Sequence, residues 1–169
     1  IYTVPLKGGK ANLLTPDFKE SFVAVDWVDD NTIMGKSYRG TKTVLSTINT
    51  KGKSQEGMAN QTDVLAPDEI LSSVSYHKPS GKLVITASSH GHPNELFAGS
   101  LGSNEIKRLT KTNPNMNEID LAKQEMISWL GPDGLEIEGV LTYPLKYRKG
   151  KRYPLVLQIH GGPEGTSLD

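Results

Sequence analysis

Along most of the chain, apolar residues alternate with polar or small ones over short stretches, and long stripes at 3.6-residue spacing are scarce, so the pattern predicts strands. Ile1-Tyr2-Thr3-Val4-Pro5-Leu6 alternates into the turn Lys7-Gly8-Gly9-Lys10, followed by Leu13-Leu14-Thr15. Ser21 to Val28 is a second apolar stretch, closed by Asp29-Asp30-Asn31, whose short polar side chains favour turn geometry. Thr32 to Tyr38 and Thr43 to Ile48 follow, separated by Arg39-Gly40-Thr41-Lys42. Three strands joined by tight turns predict a meander. The pattern then recurs: Leu71 to Tyr76, a turn at His77 to Lys82, Leu83 to Ala87, a loop through Ser89 to Asn94, and Leu96 to Leu101. Trp27, Tyr38, Tyr76 and Phe97 are expected in the cores of these sheets.

The recurrence has a measurable period. Tyr2, Leu6, Leu14 and Thr15 correspond to Phe97, Leu101, Leu109 and Thr110 at one constant offset of 95. Val44 and Ile48 lie between as the equivalent strand, with Gly52 in the following turn. One repeat is therefore about 42 to 53 residues, near the length of a propeller blade, in which a four-stranded meander stacks on its neighbours. The expected fold is mainly β: about two to three blades of a partial β-propeller. The alternative with the same local pattern is a β-sandwich of similar meanders.

After Asn113-Pro114-Asn115 the character changes. Residues 119 to 128 fit either a short helix or an extended linker. Trp129 to Gly134 is a turn, and Leu135 to Pro144 begins with alternation. Lys146 to Arg152 is expected as a basic hairpin loop. Tyr153-Pro154-Leu155-Val156-Leu157-Gln158-Ile159 is a nearly unbroken apolar run ending in His160-Gly161-Gly162-Pro163. Such a run bounded by glycines predicts a strand buried on both faces, as in the interior of an α/β sheet. Two domains are expected, 1–125 and 126–169.

Composition narrows the function classes. Nineteen Lys plus Arg balance nineteen Asp plus Glu, so no global field favours nucleic acid or an anionic membrane. The absence of cysteine excludes disulfides, thiolate zinc sites and a cysteine nucleophile. No apolar run approaches the roughly 20 residues that span a bilayer. Seventeen Gly and ten Pro against three Phe and two Trp suit many turns between short strands. The chain starts with Ile1 and shows no basic segment followed by an apolar one, so no targeting peptide is visible.

The chemistry concentrates at His160-Gly161-Gly162-Pro163. Two glycines after a buried strand let the backbone turn sharply and leave an amide N–H facing open space. In α/β-hydrolases an N–H of such a loop joins the N–H that follows the nucleophile to form the oxyanion hole. The run Trp129 to Gly165, WLGPDGLEIEGVLTYPLKYRKGKRYPLVLQIHGGPEG, resembles the junction in serine peptidases of the prolyl oligopeptidase family, in particular its acylaminoacyl peptidase and dipeptidyl peptidase-like branch. Asp133-Gly134, Gly139, Pro144, Tyr153-Pro154 and His160 to Pro163 stand in the family's order.

The resemblance implies a propeller followed by the first strands of an α/β-hydrolase domain, and hydrolysis of peptide or acylaminoacyl bonds by a Ser-Asp-His triad, with the propeller gating access. It implies that Gly161 or Gly162 supplies a backbone donor. It also places His160 where related enzymes carry an oxyanion-stabilising tyrosine; the alternative for His160 is a ring that packs at the strand end. The substrate would be a short peptide or acyl-peptide, and no cofactor is expected. No Gly-x-Ser-x-Gly occurs, so the chain reads as part of a longer enzyme and by itself as inactive. It is expected to need the rest of its parent chain or a partner, a homo-oligomer being one form. The alternatives are an esterase or other acyl hydrolase on the same scaffold and a non-enzymatic propeller binding module.

Other candidates carry less chemistry. His90-Gly91-His92 lacks the third ligand of a metal site. Asp26, Asp29 and Asp30 lack the glycine and terminal glutamate of a calcium loop. Lys146, Arg148, Lys149, Lys151 and Arg152 are expected as a solvated tip rather than a nucleic-acid contact. Glu136 and Glu138 share one strand face without a facing partner. Asn60-Gln61-Thr62 is a glycosylation pattern only in a secreted protein, and Ser167 is expected not to be a nucleophile.

Overall fold

The computed structural model describes residues 1–51, 61–103, 105–162, 165, 166 and 168. It is mainly β, built of four antiparallel sheets in chain order. β1 (Tyr2–Thr3) and β2 (Asn12–Leu13) form a two-stranded ribbon. β3 (Phe22–Asp29), β4 (Thr32–Arg39), β5 (Lys42–Asn49) and β6 (Gln61–Leu65) form a four-stranded meander. A second meander contains β7 (Ile70–His77), β8 (Lys82–Ser89), β9 (His92–Ser100) and β10 (Ile106–Arg108). A 3₁₀ turn at Pro114–Glu118 leads to the hairpin of β11 (Gln124–Leu130) and β12 (Glu136–Thr142). Residues 124 to 130 are therefore extended, which resolves the choice between helix and linker for the second half of the stretch 119 to 128. The short strands β6 and β10, absent from the expected pattern, complete each meander. No closed propeller is formed by the described residues.

The self-similarity of the sequence is carried into hydrogen bonding. Tyr2 pairs with Leu13, and Phe97 pairs with Arg108, the same register displaced by 95. The Leu14 N–H donates to Ile1 O at 2.9 Å and the Leu109 N–H to Leu96 O at 2.7 Å, again 95 apart. The Ile1 amino group donates to Thr15 Oγ1 at 2.7 Å, as the Leu96 N–H does to Thr110 Oγ1 at 2.9 Å. The β1–β2 ribbon is thus equivalent to the second half of the β7–β10 sheet.

Alternation along β4 and β5 buries both faces of the first meander. Ile33 and Ile48, directly paired, pack with Leu14 between the ribbon and the first meander. Met34 and Leu45 turn the other way and join Leu65, Leu71, Leu83, Ile85, Ala87 and Phe97 between the two meanders. Lys36 reinforces that contact: its Nζ donates to Leu71 O at 3.0 Å and Ser72 O at 2.6 Å, and burial pushes its pKa down. The Leu71 N–H donates to Thr43 Oγ1 at 2.8 Å from the neighbouring sheet.

Three expectations are corrected. Phe97 is buried and Tyr76 packs against the core, and Tyr38 is half-buried, but Trp27 is 46% exposed. Trp27 pairs with Ile33 and so shares its face, yet β3 is the edge strand and the sheet facing it has only two strands. The run Tyr153 to Ile159 forms no strand. Leu155, Val156, Leu157 and Ile159 are between 72% and 88% exposed, because no described strand lies beside the segment to pair its backbone or cover its faces. For the same reason, the loop Lys146 to Arg152 has a strand on one side only and is not a hairpin.

Candidate functional site

The β11–β12 hairpin closes through Gly131 to Leu135. The Gly131 N–H donates to Leu135 O at 2.8 Å and the Gly134 N–H to Gly131 O at 3.0 Å, with Gly134 at φ 81°, a left-handed conformation that glycine adopts without penalty. Glu136 and Glu138 lie opposite Leu130 and Ser128, so no carboxylate faces them across the ladder. Glu138 reaches the β4–β5 turn, where a Cβ on Gly40 would lie 3.1 Å from its Oε2.

β12 ends at a cluster of three tyrosines that the sequence reading passed over. The Tyr143 N–H donates to Lys123 O at 2.9 Å, and its hydroxyl donates to the Glu125 carboxylate. That bond lowers the Glu125 pKa and raises that of Tyr143. The ring centroids of Tyr143 and Tyr147 are 4.6 Å apart, and those of Tyr147 and Tyr153 are 5.5 Å apart. Lys123 Nζ lies 5.2 Å from the Tyr143 centroid and Lys151 Nζ 5.4 Å from that of Tyr153, distances at which a cation is attracted to a ring face. Two turns shape the basic loop: the Tyr147 N–H donates to Pro144 O at 3.1 Å and the Lys151 N–H to Arg148 O at 3.2 Å. The spacing of Tyr143, Tyr147 and Tyr153 carries no signal of the cluster, which these two turns bring together.

His160, Gly161 and Gly162 stand exposed at the end of the unpaired segment. Gly162 has φ 125°, which few other residues tolerate. The Gly165 N–H donates to Gly161 O at 3.1 Å, and a Cβ on Gly165 would lie 2.1 Å from that oxygen, so the tight bend requires glycine at 165. Gly161 itself has open space where a Cβ would go. His160 Nδ1 is 3.4 Å from Gly161 O, a long contact in which a protonated Nδ1 donates to the carbonyl. A neutral ring in that tautomer has no proton on Nε2. A developing oxyanion would then be met by backbone N–H groups of this loop or by the imidazolium.

The remaining candidates are dispersed. His90 and Gly91 occupy the tight β8–β9 turn, with His92 starting β9; the His92 Nδ1 donates to Pro93 O at 2.8 Å. Among the described residues, no three His, Asp or Glu side chains come together as a metal site. Asp29 caps its turn by accepting the Asn31 N–H at 2.8 Å. Asn60 and Ser167 lie outside the described residues, as do Gly52 and Pro163. No described helix is long and apolar enough to cross a membrane.

No protein-family model matches the chain. Among curated proteins, it is 31% identical to the uncharacterized peptidase YuxL of Bacillus subtilis over 96 residues, covering 56% of this chain and 14% of that protein. It is 27% identical to dipeptidyl-peptidase 5 of Aspergillus oryzae over 159 residues, covering 92% of this chain and 21% of that protein. A probable dipeptidyl-peptidase 5 of Aspergillus niger is 24% identical and covers 100% of this chain and 23% of its own length. Among solved structures, the apo AtxE2 isopeptidase matches with a TM-score of 0.67 at 18% identity, over 86% of this chain and 22% of that one; the likeness shows a shared fold. The chain spans about a fifth of the length of the longer-aligned relatives. The curated relatives among these carry the names of peptidases.

Proposed function

We propose that the chain is part of a serine peptidase of the prolyl oligopeptidase family that hydrolyses peptide or acylaminoacyl bonds of short peptides. In this reading residues 1–125 are blades of a propeller that restricts access, and 126–169 begin an α/β-hydrolase domain. The carrying observation is similarity to named dipeptidyl peptidases along 92% to 100% of the chain, in a sequence that contains His160-Gly161-Gly162 after an apolar run. Residues elsewhere in the whole protein supply the nucleophile, acid and base. They also supply the strands beside Tyr153 to Ile159, whose apolar side chains are exposed here.

Acyl transfer places negative charge on the carbonyl oxygen of the tetrahedral intermediate. The loop contributes a backbone N–H at Gly161 or Gly162; among the described residues neither donates to a protein acceptor. One such donor is worth about 10²- to 10³-fold in rate. His160 adds to this only when protonated or when its proton sits on Nε2.

The test uses the complete protein that carries this sequence. A fluorophosphonate probe should label it, and dipeptidyl or acylaminoacyl p-nitroanilides should be cleaved. Gly162→Ala, which forces a side chain into φ 125°, should lower kcat at least tenfold. Cleavage of simple esters without any peptide substrate would favour the acyl-hydrolase alternative. No labelling and no hydrolysis would overturn the reading in favour of a binding module.

A further inference from the structure

We propose that the loop Lys146 to Arg152 is a docking surface for an anionic lipid bilayer, with Leu145 and Tyr147 as its apolar contacts, whether or not the chain belongs to a peptidase. Five of the seven residues are basic, Lys146, Arg148, Lys149, Lys151 and Arg152, and no acidic residue occurs from Gly139 to Gly162. All five are exposed, and among the described residues none is paired with a carboxylate. Glu125, the acid beside the loop's tyrosines, is engaged by Lys123 and the Tyr143 hydroxyl. The balanced charge of the whole chain does not cancel this local field, because exposed charges farther apart than about 8 Å are largely screened at physiological ionic strength. An anionic bilayer attracts such a cluster, each Lys or Arg near its surface adding about fivefold in affinity.

The loop is held in shape before any contact. The Pro144–Tyr147 turn places Lys146 at its third position with φ 60°, and the Arg148–Lys151 turn places Gly150 at the same position with φ 86°. Glycine takes a left-handed conformation without penalty and lysine does not. Lys146 is the one non-glycine residue at positive φ among the described residues. A side chain kept where glycine would fit more easily points to a use for it, and what lysine adds over glycine at an exposed turn is a charge. Contacts of the Tyr147 ring with Tyr143 and Tyr153, and the Arg148 N–H donating to the Tyr153 hydroxyl at 3.0 Å, tie the two turns together. The cations are therefore presented with less ordering left to do on binding.

Two features favour a bilayer over a soluble polyanion. Leu145 is 55% and Tyr147 44% exposed beside the cations, apolar surface of the kind taken up at the headgroup–acyl boundary. The tyrosine faces on which nucleic-acid bases would stack are instead turned to one another and to Lys123 and Lys151.

The test measures co-sedimentation of the complete protein with vesicles of phosphatidylglycerol and phosphatidylcholine in equal parts, against pure phosphatidylcholine. Binding should require the anionic lipid. It should weaken at least tenfold as ionic strength rises from about 0.1 M to about 1 M and the Debye length shrinks from about 10 Å to about 3 Å. Lys149→Gln with Arg152→Gln removes two charges that have no partner among the described residues and should weaken binding about 25-fold. Lys146→Gly should weaken it about fivefold while Tm holds or rises, a combination that a purely structural role for Lys146 does not give. Leu145→Ser should weaken it at least threefold. No binding to anionic vesicles, or wild-type affinity in any of these variants, overturns the proposal. Binding of polyglutamate or a single-stranded oligonucleotide without binding of vesicles overturns the bilayer in favour of a soluble polyanion.

Discussion

Removing the Ile85 side chain beyond Cβ tests whether the two meanders share one core. Ile85 is 0% exposed and lies in a cluster to which the first meander contributes Met34, Leu45 and Leu65, and the second Leu71, Leu83, Ala87 and Phe97. Ile85→Ala deletes three carbons, about 2.5 kcal/mol of transfer free energy at ~0.8 kcal/mol per group. The cavity left between two sheets that cannot close fully brings the expected loss to about 3–4 kcal/mol. For a chain of this size that corresponds to roughly 10 °C in Tm. Val84, the next residue, points to the opposite face and is 49% exposed, so Val84→Ala should cost below about 1 kcal/mol. Urea unfolding of the dilute chain, followed by far-UV circular dichroism, compares the two. Leu45→Ala supplies a second check: combined with Ile85→Ala, it should be non-additive by more than about 0.5 kcal/mol, because both residues line one cavity. Equal effects of Ile85→Ala and Val84→Ala, or strict additivity with Leu45→Ala, would refute the shared core and leave the meanders as independent units.

Glu95, 2% exposed, is held down to about 2 by the Thr110 hydroxyl first, then by the Thr112 N–H, Arg108 and the Thr112 hydroxyl, against the opposing effect of burial. Its folded pKa lies below its ordinary value of 4.5, so the unfolded chain binds more protons as pH falls and stability declines from about pH 5 toward 2. Glu95→Gln should flatten that decline in urea titrations at successive pH values. Gly35→Ala would place a Cβ 2.6 Å from the Phe22 ring and should destabilise by about 1–3 kcal/mol, with Phe22→Leu in the same chain restoring part of the midpoint. The 169-residue chain by itself should hydrolyse p-nitrophenyl acetate no faster than buffer; hydrolysis abolished by Ser167→Ala would contradict this. With exposed apolar residues on β3 and along Leu155 to Ile159, it should self-associate with rising concentration in sedimentation velocity, and a monomer at all concentrations would count against the proposed origin as part of a larger protein.

The chain's local grammar was legible because strand alternation and turn residues act over a few positions. The meander order and the turns at Arg39 to Lys42 and His77 to Lys82 follow from residues near one another in sequence, and the repeat offset of 95, a comparison of such local patterns, reappears as matched hydrogen bonds at Leu14 and Leu109. β6 and β10 escaped because five- and three-residue strands carry too little alternation to register. Their existence depends on the edges of β5 and β9 that they pair with. The fate of Trp27 and of Tyr153 to Ile159 was equally invisible, since burial is a property of what lies opposite a side chain. An apolar pattern states which surface should be covered, and only the tertiary arrangement decides whether a neighbouring strand is there to cover it. At the candidate site, the sequence determined the residue types His160, Gly161 and Gly162, and with them the chemistry they permit. The three-dimensional structure alone brought Tyr143, Tyr147 and Tyr153 into one stack, because contacts across a folded loop depend on the turns between them and not on their spacing along the chain.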